Sequence, residues 1–261
     1  MASFRDRYGP WAFIAGASAG IGEAFARQLA ARGVCLLLVA RRAEALSRLA
    51  AELTAAHGVE VRHVAADLAR ADLLGVARAL AGDAEVGLLV YNAAYSAIGP
   101  FLDRPLEEQL RVIDVNCRGP LTLAHAFGGG MARRGRGGIL LMASLAGSQG
   151  GPLVASYAAS KAFDLVLAEG LWEELGRRGV DVLACRAGAT RTPGYASSSP
   201  KKDMPLMEAD AVAGEALAAL GRGPSVVAGG LNKLAAFLFA RVLPRRTAIR
   251  IMGRATRRLY E

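Results

Sequence analysis

The chain has 261 residues, of which 53% are hydrophobic and 21% are charged, and its mean hydropathy is +0.28. This length and apolar content suit one α/β domain of roughly 250 residues with a sizeable buried core. The first ten residues hold no apolar signal segment, and charges interrupt every apolar run of about 18 residues, so neither a signal peptide nor a spanning helix is expected.

The cysteines and histidines give no pattern typical of a metal site. Cys35, Cys117 and Cys185 share no metal-ligand spacing, and they lie in apolar segments with only three histidines in the chain as possible co-ligands. Buried free thiols are typical of a reducing compartment. We therefore predict a cytoplasmic protein without a metal site.

Short apolar runs alternate along the chain with longer amphipathic ones. The short runs predict parallel strands covered on both faces, because their hydrophobicity is nearly continuous. Such alternation favours right-handed crossovers and a doubly wound sheet that binds ligands at the carboxyl ends of its strands. The predicted strands are Trp11–Ala15, Val34–Ala40, Val61–Ala65, Val86–Tyr91, Ile139–Ala143, Val180–Cys185 and Ser225–Ala228. The predicted helices are Ile21–Arg32, Ala43–His57, Leu73–Leu80, Leu106–Arg133 (one long or broken helix), Tyr157–Arg178 and Ala209–Leu220.

The first strand–helix connection is rich in glycine. Glycines permit positive φ angles and close backbone approach, and a helix N-terminus offers unpaired N–H groups to a pyrophosphate. With 31 glycines in the chain, the same spacing could also serve packing alone. The cofactor contacts predicted here are Gly16, Ser18, Ala19, Gly20, Ile21 and Gly22.

The end of the second strand carries Arg41 and Arg42 and no acidic residue until Glu44. A carboxylate at this place would bind a ribose 2′-hydroxyl, whereas a guanidinium suits a 2′-phosphate. The sequence therefore favours NADP (NADPH) over NAD. The alternative is that the two arginines only cap a surface turn.

Polar residues follow the next two strands. Asp67, followed by Leu68, is predicted to accept a hydrogen bond from the adenine amino group. Asn92, followed by Ala93, is predicted to brace the neighbouring turn. Taken singly, both polar residues are more often turn formers, and their positions at successive strand ends favour the cofactor site.

Tyr157 and Lys161 stand four residues apart in a predicted helix, and Ser144 lies thirteen positions before the tyrosine. Residues at this spacing share one helix face. A free phenol has a pKa of about 10, and a neighbouring cation lowers it by favouring the phenolate. A serine hydrolase is disfavoured, since no Gly-x-Ser-x-Gly elbow surrounds Ser144 and no histidine follows it at a strand end.

These motifs together resemble the short-chain dehydrogenase/reductase family over about residues 10–228. The resemblance implies a single-domain Rossmann fold of about seven parallel strands and a catalytic tetrad of Asn116, Ser144, Tyr157 and Lys161. Tyr157 would be the general acid and Ser144 would polarise the carbonyl. Lys161 would lower the pKa of the tyrosine and hold the nicotinamide ribose, and Asn116 would anchor a water of the proton relay.

Two positions depart from the family pattern. Ala187-Gly188 replaces a common Pro-Gly pair, with Thr190 and Thr192 expected near the carboxamide. Tyr91-Asn92-Ala93-Ala94 replaces a common Asn-Asn-Ala-Gly turn, in which Ala94 needs a negative φ. Neither change removes a proton-transfer group.

The C-terminal segment carries most of the formal charge of +9. We divide the chain into a catalytic domain, residues 1–228, and a basic apolar extension, residues 229–261. The extension resembles that of a bacterial subgroup of NADP-linked oxidoreductases. It could lie on an anionic membrane surface, or it could pack on the body or on a second subunit. Nucleic acid is not an expected partner, because no binding module is recognisable.

The segment from Pro193 to Met207 is predicted to be a mobile lid over the substrate. Its pair Lys201 and Lys202 either attracts the phosphates of a thioester carrier or is simply solvated.

The sequence thus predicts an NADPH-dependent enzyme that interconverts a hydrophobic ketone, or a 3-oxoacyl group, and a secondary alcohol. The alternative is a catalytically silent NADP-binding sensor or interaction protein. The resemblance further implies a homodimer or homotetramer formed through helices near Leu106–Arg133 and Tyr157–Arg178.

Overall fold

The computed structural model of the chain describes residues 3–201 and 204–261, and Lys202 lies outside them. Seven parallel strands form one sheet in the order β3-β2-β1-β4-β5-β6-β9, which confirms the doubly wound prediction. Two short strands, β7 and β8, form a separate parallel pair. The strands are β1 Trp11–Ala15, β2 Cys35–Ala40, β3 Val61–Ala65, β4 Val86–Tyr91, β5 Gly137–Ser144, β6 Val180–Ala187, β7 Thr190–Arg191, β8 Met207–Glu208 and β9 Ser225–Val227.

Helices cover both faces of the sheet, because consecutive buried strand residues point to opposite sides. In β1, Ala12 and Ile14 pack on one helical layer, which α2, α3 and α9 form, and Phe13 packs on the other layer, formed by α4, α6 and α7. The helices are α1 Phe4–Tyr8, α2 Gly20–Ala30, α3 Ala43–His57, α4 Leu73–Ala81, α5 Leu106–Ile113, α6 Gly119–Arg134, α7 Ala155–Gly176, α8 Pro193–Ser197, α9 Ala209–Ala219, α10 Gly230–Phe237 and α11 Arg245–Tyr260.

The predicted helix Leu106–Arg133 is broken in the structure. One π-helical turn, Asp114–Arg118, separates α5 from α6. A π turn closes its hydrogen bonds over five residues and so accommodates one residue more than an α turn. The wide turn contains Asn116 and places it, fully buried, below the carboxyl ends of the central strands.

The C-terminal extension is helical and packs beside the loop that precedes α7. A second π turn, Leu238–Val242, follows α10, and α11 begins after Pro244. Gly253 of α11 comes so close to Pro152 that an added Cβ would lie 3.3 Å from the proline ring. No helix in the described part of the chain has both the length and the apolar character needed to cross a bilayer.

Candidate active site

The β1–α2 loop is built for a close approach of backbone to ligand. Gly16 and Gly20 adopt φ angles of 85° and 58°, in the region that favours glycine. A Cβ on Gly16 would lie 2.8 Å from Ala93, and one on Gly22 would collide with the Gly16 carbonyl. No side chain caps the N-terminus of α2, so its first N–H groups are available to bind an anion. These features fit the pyrophosphate of a dinucleotide.

Asn92 holds this loop from the neighbouring strand. Its Nδ2 donates to the Gly16 carbonyl at 2.9 Å, and the Asn92 and Ala93 N–H groups both donate to the Ala15 carbonyl. The side chain therefore braces the glycine turn. Ala93 contributes the backbone against which Gly16 packs.

Arg42 lies beside the same loop. Its guanidinium donates to the Ser18 carbonyl at 3.0 Å and to the Ser18 hydroxyl at 3.2 Å, and it remains exposed. Arg42 also occupies the N-cap position of α3, but its side chain makes no capping hydrogen bond. Together with the exposed Arg41, it forms a cationic edge next to the glycine loop, which fits a 2′-phosphate.

Asp67 has a partner that sequence reasoning missed. One of its carboxylate oxygens accepts from the Ala69 N–H at 3.0 Å, and the other pairs with Arg111 at 2.5 Å. Partial burial acts to raise the pKa of Asp67, but the Ala69 hydrogen bond and the Arg111 charge hold it below its ordinary value. An ionised Asp67 can still accept from adenine, while the following Leu68 is buried. Arg111 lies 44 residues away, so no local spacing could have revealed the pair.

Ser144 and α7 come together at the carboxyl end of β5. Ser144 is the last residue of that strand, and its hydroxyl accepts from the Ala146 N–H at 3.2 Å. The following 3₁₀ turn packs directly on α7, where a Cβ on Gly147 would lie 2.6 Å from the Lys161 backbone. Tyr157 is half-buried on the first turns of α7. The contact of Gly147 therefore joins the end of β5, which bears Ser144, to the helix that bears Tyr157 and Lys161.

Lys161 is buried with a carboxylate that sequence reasoning missed. Its ammonium donates to the Met142 carbonyl at 2.7 Å and to Asp164 at 2.9 Å. Burial acts to lower the pKa of Lys161, but the negative charge and hydrogen bond of Asp164, together with Tyr157 and Cys117, outweigh burial and raise the pKa. Burial also raises the pKa of the Asp164 carboxyl, against the attraction of Lys161. The i, i+3 spacing could have suggested this pair, although not its burial.

Asn116 is linked to Tyr157 through Ser160. The Asn116 Nδ2 donates to the Tyr95 carbonyl and to the Ser160 hydroxyl, both at 2.9 Å, while its Oδ1 accepts from the Tyr95 N–H. Ser160 in turn donates to the Tyr157 carbonyl at 2.8 Å. Since both amide hydrogens are used, the side chain locks the π turn onto α7.

The loop after β6 closes the site on the side of the glycine loop. Thr192 lies against Gly20, where an added Cβ would be 2.7 Å from the threonine methyl, and its hydroxyl caps α8. Thr190 is buried, and it donates to the Gly188 carbonyl at 3.0 Å. Asn232 of α10, also missed in the sequence, packs against Gly188 and donates to the Ala228 carbonyl.

Metal chemistry finds no support in the described residues. No group of three or more His, Cys, Asp or Glu side chains that could hold an ion occurs in residues 3–201 and 204–261.

The model of the short chain dehydrogenase family matches residues 10–203. The chain belongs to this family. One relative is the 7β-hydroxysteroid dehydrogenase of Clostridium sardiniense, which is 33% identical over 234 residues. The matched region covers 88% of this chain and 90% of the relative.

Two solved structures extend the comparison. A 7β-hydroxysteroid dehydrogenase superposes with a TM-score of 0.90 at 30% identity and covers 96% of this chain and 99% of its own. A short-chain dehydrogenase from Sphingobium yanoikuyae in complex with NADPH has a TM-score of 0.79 at 35% identity, with 89% and 94% covered. The present short-chain dehydrogenase is thus an oxidoreductase that interconverts a ketone and an alcohol with a nicotinamide dinucleotide. The comparisons give no support to a silent sensor.

Proposed function

We propose that the protein is an NADPH-dependent reductase of bulky hydrophobic ketones that also runs as an alcohol dehydrogenase. Arg41 and Arg42 beside the glycine loop support the choice of NADPH, as does the NADPH complex of the Sphingobium relative. The hydroxysteroid dehydrogenases among the relatives support a large apolar substrate. A 3-oxoacyl group stays the alternative substrate of the same chemistry.

Four residues of this chain would take part in the reaction. Bound NADPH supplies the hydride for the carbonyl carbon. Tyr157 donates its phenolic proton to the carbonyl oxygen as that oxygen gains charge, and Ser144 donates a hydrogen bond to the same oxygen. Lys161 stabilises the resulting phenolate and holds the ribose hydroxyls. Asn116 keeps the π turn in place. Its backbone carbonyl can hold a water molecule that belongs to the path by which Tyr157 regains its proton.

The observation that carries this proposal is the buried ammonium of Lys161. The Met142 carbonyl and Asp164 hold the ammonium at the end of β5, Tyr157 precedes Lys161 by one helical turn, and the turn after Ser144 packs on the Lys161 backbone. A positive charge in a low-dielectric site stabilises a nearby anion far more than it would in water.

Replacing Tyr157 with Phe tests the mechanism. We expect Tyr157→Phe to lower kcat by about 100-fold or more, because the proton donor is lost while the ring and its packing are kept. NADPH fluorescence titration should show nearly unchanged cofactor binding. A variant that reduces ketones at the wild-type rate would refute the role of Tyr157.

A panel of bulky ketones, followed by NADPH oxidation, separates the reductase from a silent sensor. Turnover of any panel member that disappears in Tyr157→Phe supports the enzyme. NADPH binding without turnover of any panel member would favour the sensor.

We further infer a cytoplasmic homo-oligomer. Apolar side chains of α5 and α7 are exposed, among them Leu106 at 65%, Leu110 at 54% and Val166 at 65%, and a shallow apolar groove runs along α7 past Phe163 and Val166. Exposed patches of this kind are typical of subunit interfaces.

A further inference from the structure

The C-terminal extension concentrates positive charge on its exposed side. From Gly229 onward the chain has eight Lys and Arg residues against one Glu, which is +7 of the total of +9. Lys233 pairs with Glu215 at 3.2 Å. The other seven cations, all exposed arginines, have no ion-pair partner within residues 3–201 and 204–261. They are Arg241, Arg245, Arg246, Arg250, Arg254, Arg257 and Arg258.

Next to this charge lies a row of exposed apolar side chains. Leu231, Leu234 and Phe237 of α10 are 80%, 58% and 59% exposed, and Leu238 and Val242 of the π turn are 40% and 58% exposed. Their spacing of three to four residues places them along one side of the helix. Large apolar side chains that stay exposed in a row indicate an interaction surface.

The orientation of α11 is set by its small residues. Ala248, Gly253 and Thr256 are its buried positions, and Gly253 packs on Pro152. The arginines of α11 therefore lie outside this buried side and are exposed, although Arg245 also reaches the body through the Ser148 carbonyl. The exposed Ile249 and Ile251 interrupt them with apolar side chains.

We propose that residues 231–258, the docking segment, bind the surface of an anionic phospholipid bilayer. The row from Leu231 to Val242 enters the boundary between headgroups and acyl chains, while the arginines of α11 contact lipid phosphates. A helical segment that exposes both apolar and basic side chains is suited to that boundary. The apolar side chains contact acyl chains there, and the basic ones contact phosphates.

A second copy of the chain fits this surface poorly. A twofold contact places the same patch on both subunits, so the arginines of α11 would face one another. Like charges brought together at an interface are unfavourable. Lipid phosphates instead complement the charge, and the acyl boundary receives the apolar row.

Docking would place the mouth of the site at the bilayer. Arg245 at the start of α11 donates to the Ser148 carbonyl at 2.8 Å, in the turn that follows Ser144. Near the start of the docking segment, Asn232 packs on Gly188 in the loop after β6. A hydrophobic ketone dissolved in the bilayer would reach the site directly. This route rests on the proposed function, whereas docking itself does not.

Vesicle co-sedimentation of the full-length protein tests the docking segment. We expect binding to mixed phosphatidylcholine–phosphatidylglycerol vesicles that weakens with added salt, and much weaker binding to phosphatidylcholine alone. Arg250→Gln, Arg254→Gln and Arg257→Gln combined should weaken binding roughly 100-fold. Leu231→Gln with Phe237→Gln should weaken it about 10-fold or more without changing the charge.

Matched variants elsewhere serve as controls. Arg133→Gln, Arg178→Gln and Arg222→Gln remove the same charge from exposed positions of the body, and Leu102→Gln removes an exposed apolar side chain from the turn before α5. All four sets of variants change exposed residues, and circular dichroism checks their folding. Neither control should lower vesicle binding by more than about twofold.

Three results would overturn the proposal. The first is equal binding to neutral and anionic vesicles, or none to either. The second is that vesicle binding weakens in the combined arginine variant but not in the Leu231→Gln, Phe237→Gln double variant. That result would indicate a general site for polyanions. The third is a smaller sedimentation mass of the Leu231 and Phe237 variants, which indicates an interface between copies. NADPH turnover of a water-soluble ketone, measured in parallel, reports on the reductase separately.

Discussion

At the scale of single residues, Lys161 and Asp164 form an ion pair with side chains that are only 3% and 2% exposed. Taking two charges out of water is costly, and additional hydrogen bonds to each group offset part of that cost. Lys161 has a second acceptor in the Met142 carbonyl, whereas Oδ1 of Asp164 has no hydrogen-bond partner in the described structure. Other titratable groups near the carboxylate are Tyr91 and Cys117. Asp164 therefore acts chiefly on the charge of Lys161.

We predict that Asp164→Asn narrows the pH range of the enzyme on the alkaline side. Without the carboxylate, burial dominates and the pKa of Lys161 falls, so the ammonium loses its proton at a lower pH. The alkaline limb of kcat/KM, measured from about pH 6 to about pH 10, should move to lower pH. An unchanged limb would show that Asp164 has no influence on the charge of Lys161.

The same variant should lower the free energy of unfolding by about 3–5 kcal/mol, because it leaves a buried charge without its partner. The raised pKa of Lys161 contributes stability that is complete below its unfolded pKa and lost only as pH rises through the folded value. The loss should thus be visible in urea denaturation at neutral pH. Glu173→Gln, which removes an exposed ion pair from the same helix, is the control and should change neither measurement.

Residue spacing was enough to select Ser144, Tyr157 and Lys161, since their pattern lies within one strand end and one helix. Their catalytic roles stay predictions. Asp164, Ser160 and Arg111 could not be selected in this way, because their importance depends on burial and on contacts that tertiary packing creates. The sequence likewise did not reveal that both amide hydrogens of Asn116 are used in hydrogen bonds to Tyr95 and Ser160, and its water-anchoring role stays a prediction.

At the scale of elements, the connection between β2 and α3 adjoins the glycine loop through Arg42 and Ser18. We predict that Arg42→Asp raises the KM for NADPH by roughly 10- to 100-fold, because charge-assisted hydrogen bonds to a 2′-phosphate are lost. The KM for NADH, which lacks that phosphate, should change little or fall. Steady-state kinetics with both cofactors measures the change in preference.

Arg78→Asp provides the matched control for this prediction, because Arg78 is an exposed arginine of α4. It makes the same change of charge without touching the glycine loop. An equal rise of both KM values in Arg42→Asp would show that the arginine merely supports the turn.

Hydrophobic periodicity was sufficient for the seven strands of the main sheet, since parallel strands are apolar on both faces. It failed at the ends of the chain. Helix α1 has only five residues, and α11 has so many arginines that its three small buried residues give no visible apolar stripe. Helix α8 lies in the segment predicted as a lid, Pro193–Met207, while β7 ends just before that segment and β8 begins at its last residue. Two-residue strands and a single helical turn are set by tertiary contacts, which local sequence does not encode.

At the scale of the whole molecule, charge and apolar exposure are distributed differently. The arginines gather at the C-terminal extension, whereas the exposed apolar side chains of α5 and α7, such as Leu110 and Val166, lie among acidic as well as basic residues. The two surfaces thus suit different neighbours. An apolar surface without charge of one sign is typical of contacts between identical subunits.

We predict that Val166→Asp combined with Leu110→Asp lowers the oligomeric state. Two carboxylates in a desolvated interface are unfavourable, and both positions are exposed in the single subunit, so folding should be retained. Sedimentation velocity should show a smaller mass than wild type. Leu231→Asp, an exposed change in the docking segment, should leave the mass unaltered. A wild-type mass for the double variant would exclude this face as the interface.

The π turn between α5 and α6 restricts which changes of length the chain tolerates. Each residue advances an α-helix by about 100°, and the wide turn absorbs one surplus residue. Deleting a single position there, such as Cys117, would remove the surplus residue and restore an unbroken helix, so α5 and α6 would keep their present orientation. Leu123 and Met131 would then stay on the sheet, but the residues of the former wide turn would shift and Asn116 would turn away from Ser160. A one-codon deletion would thus keep the core packed and still disconnect Asn116 from the reaction centre.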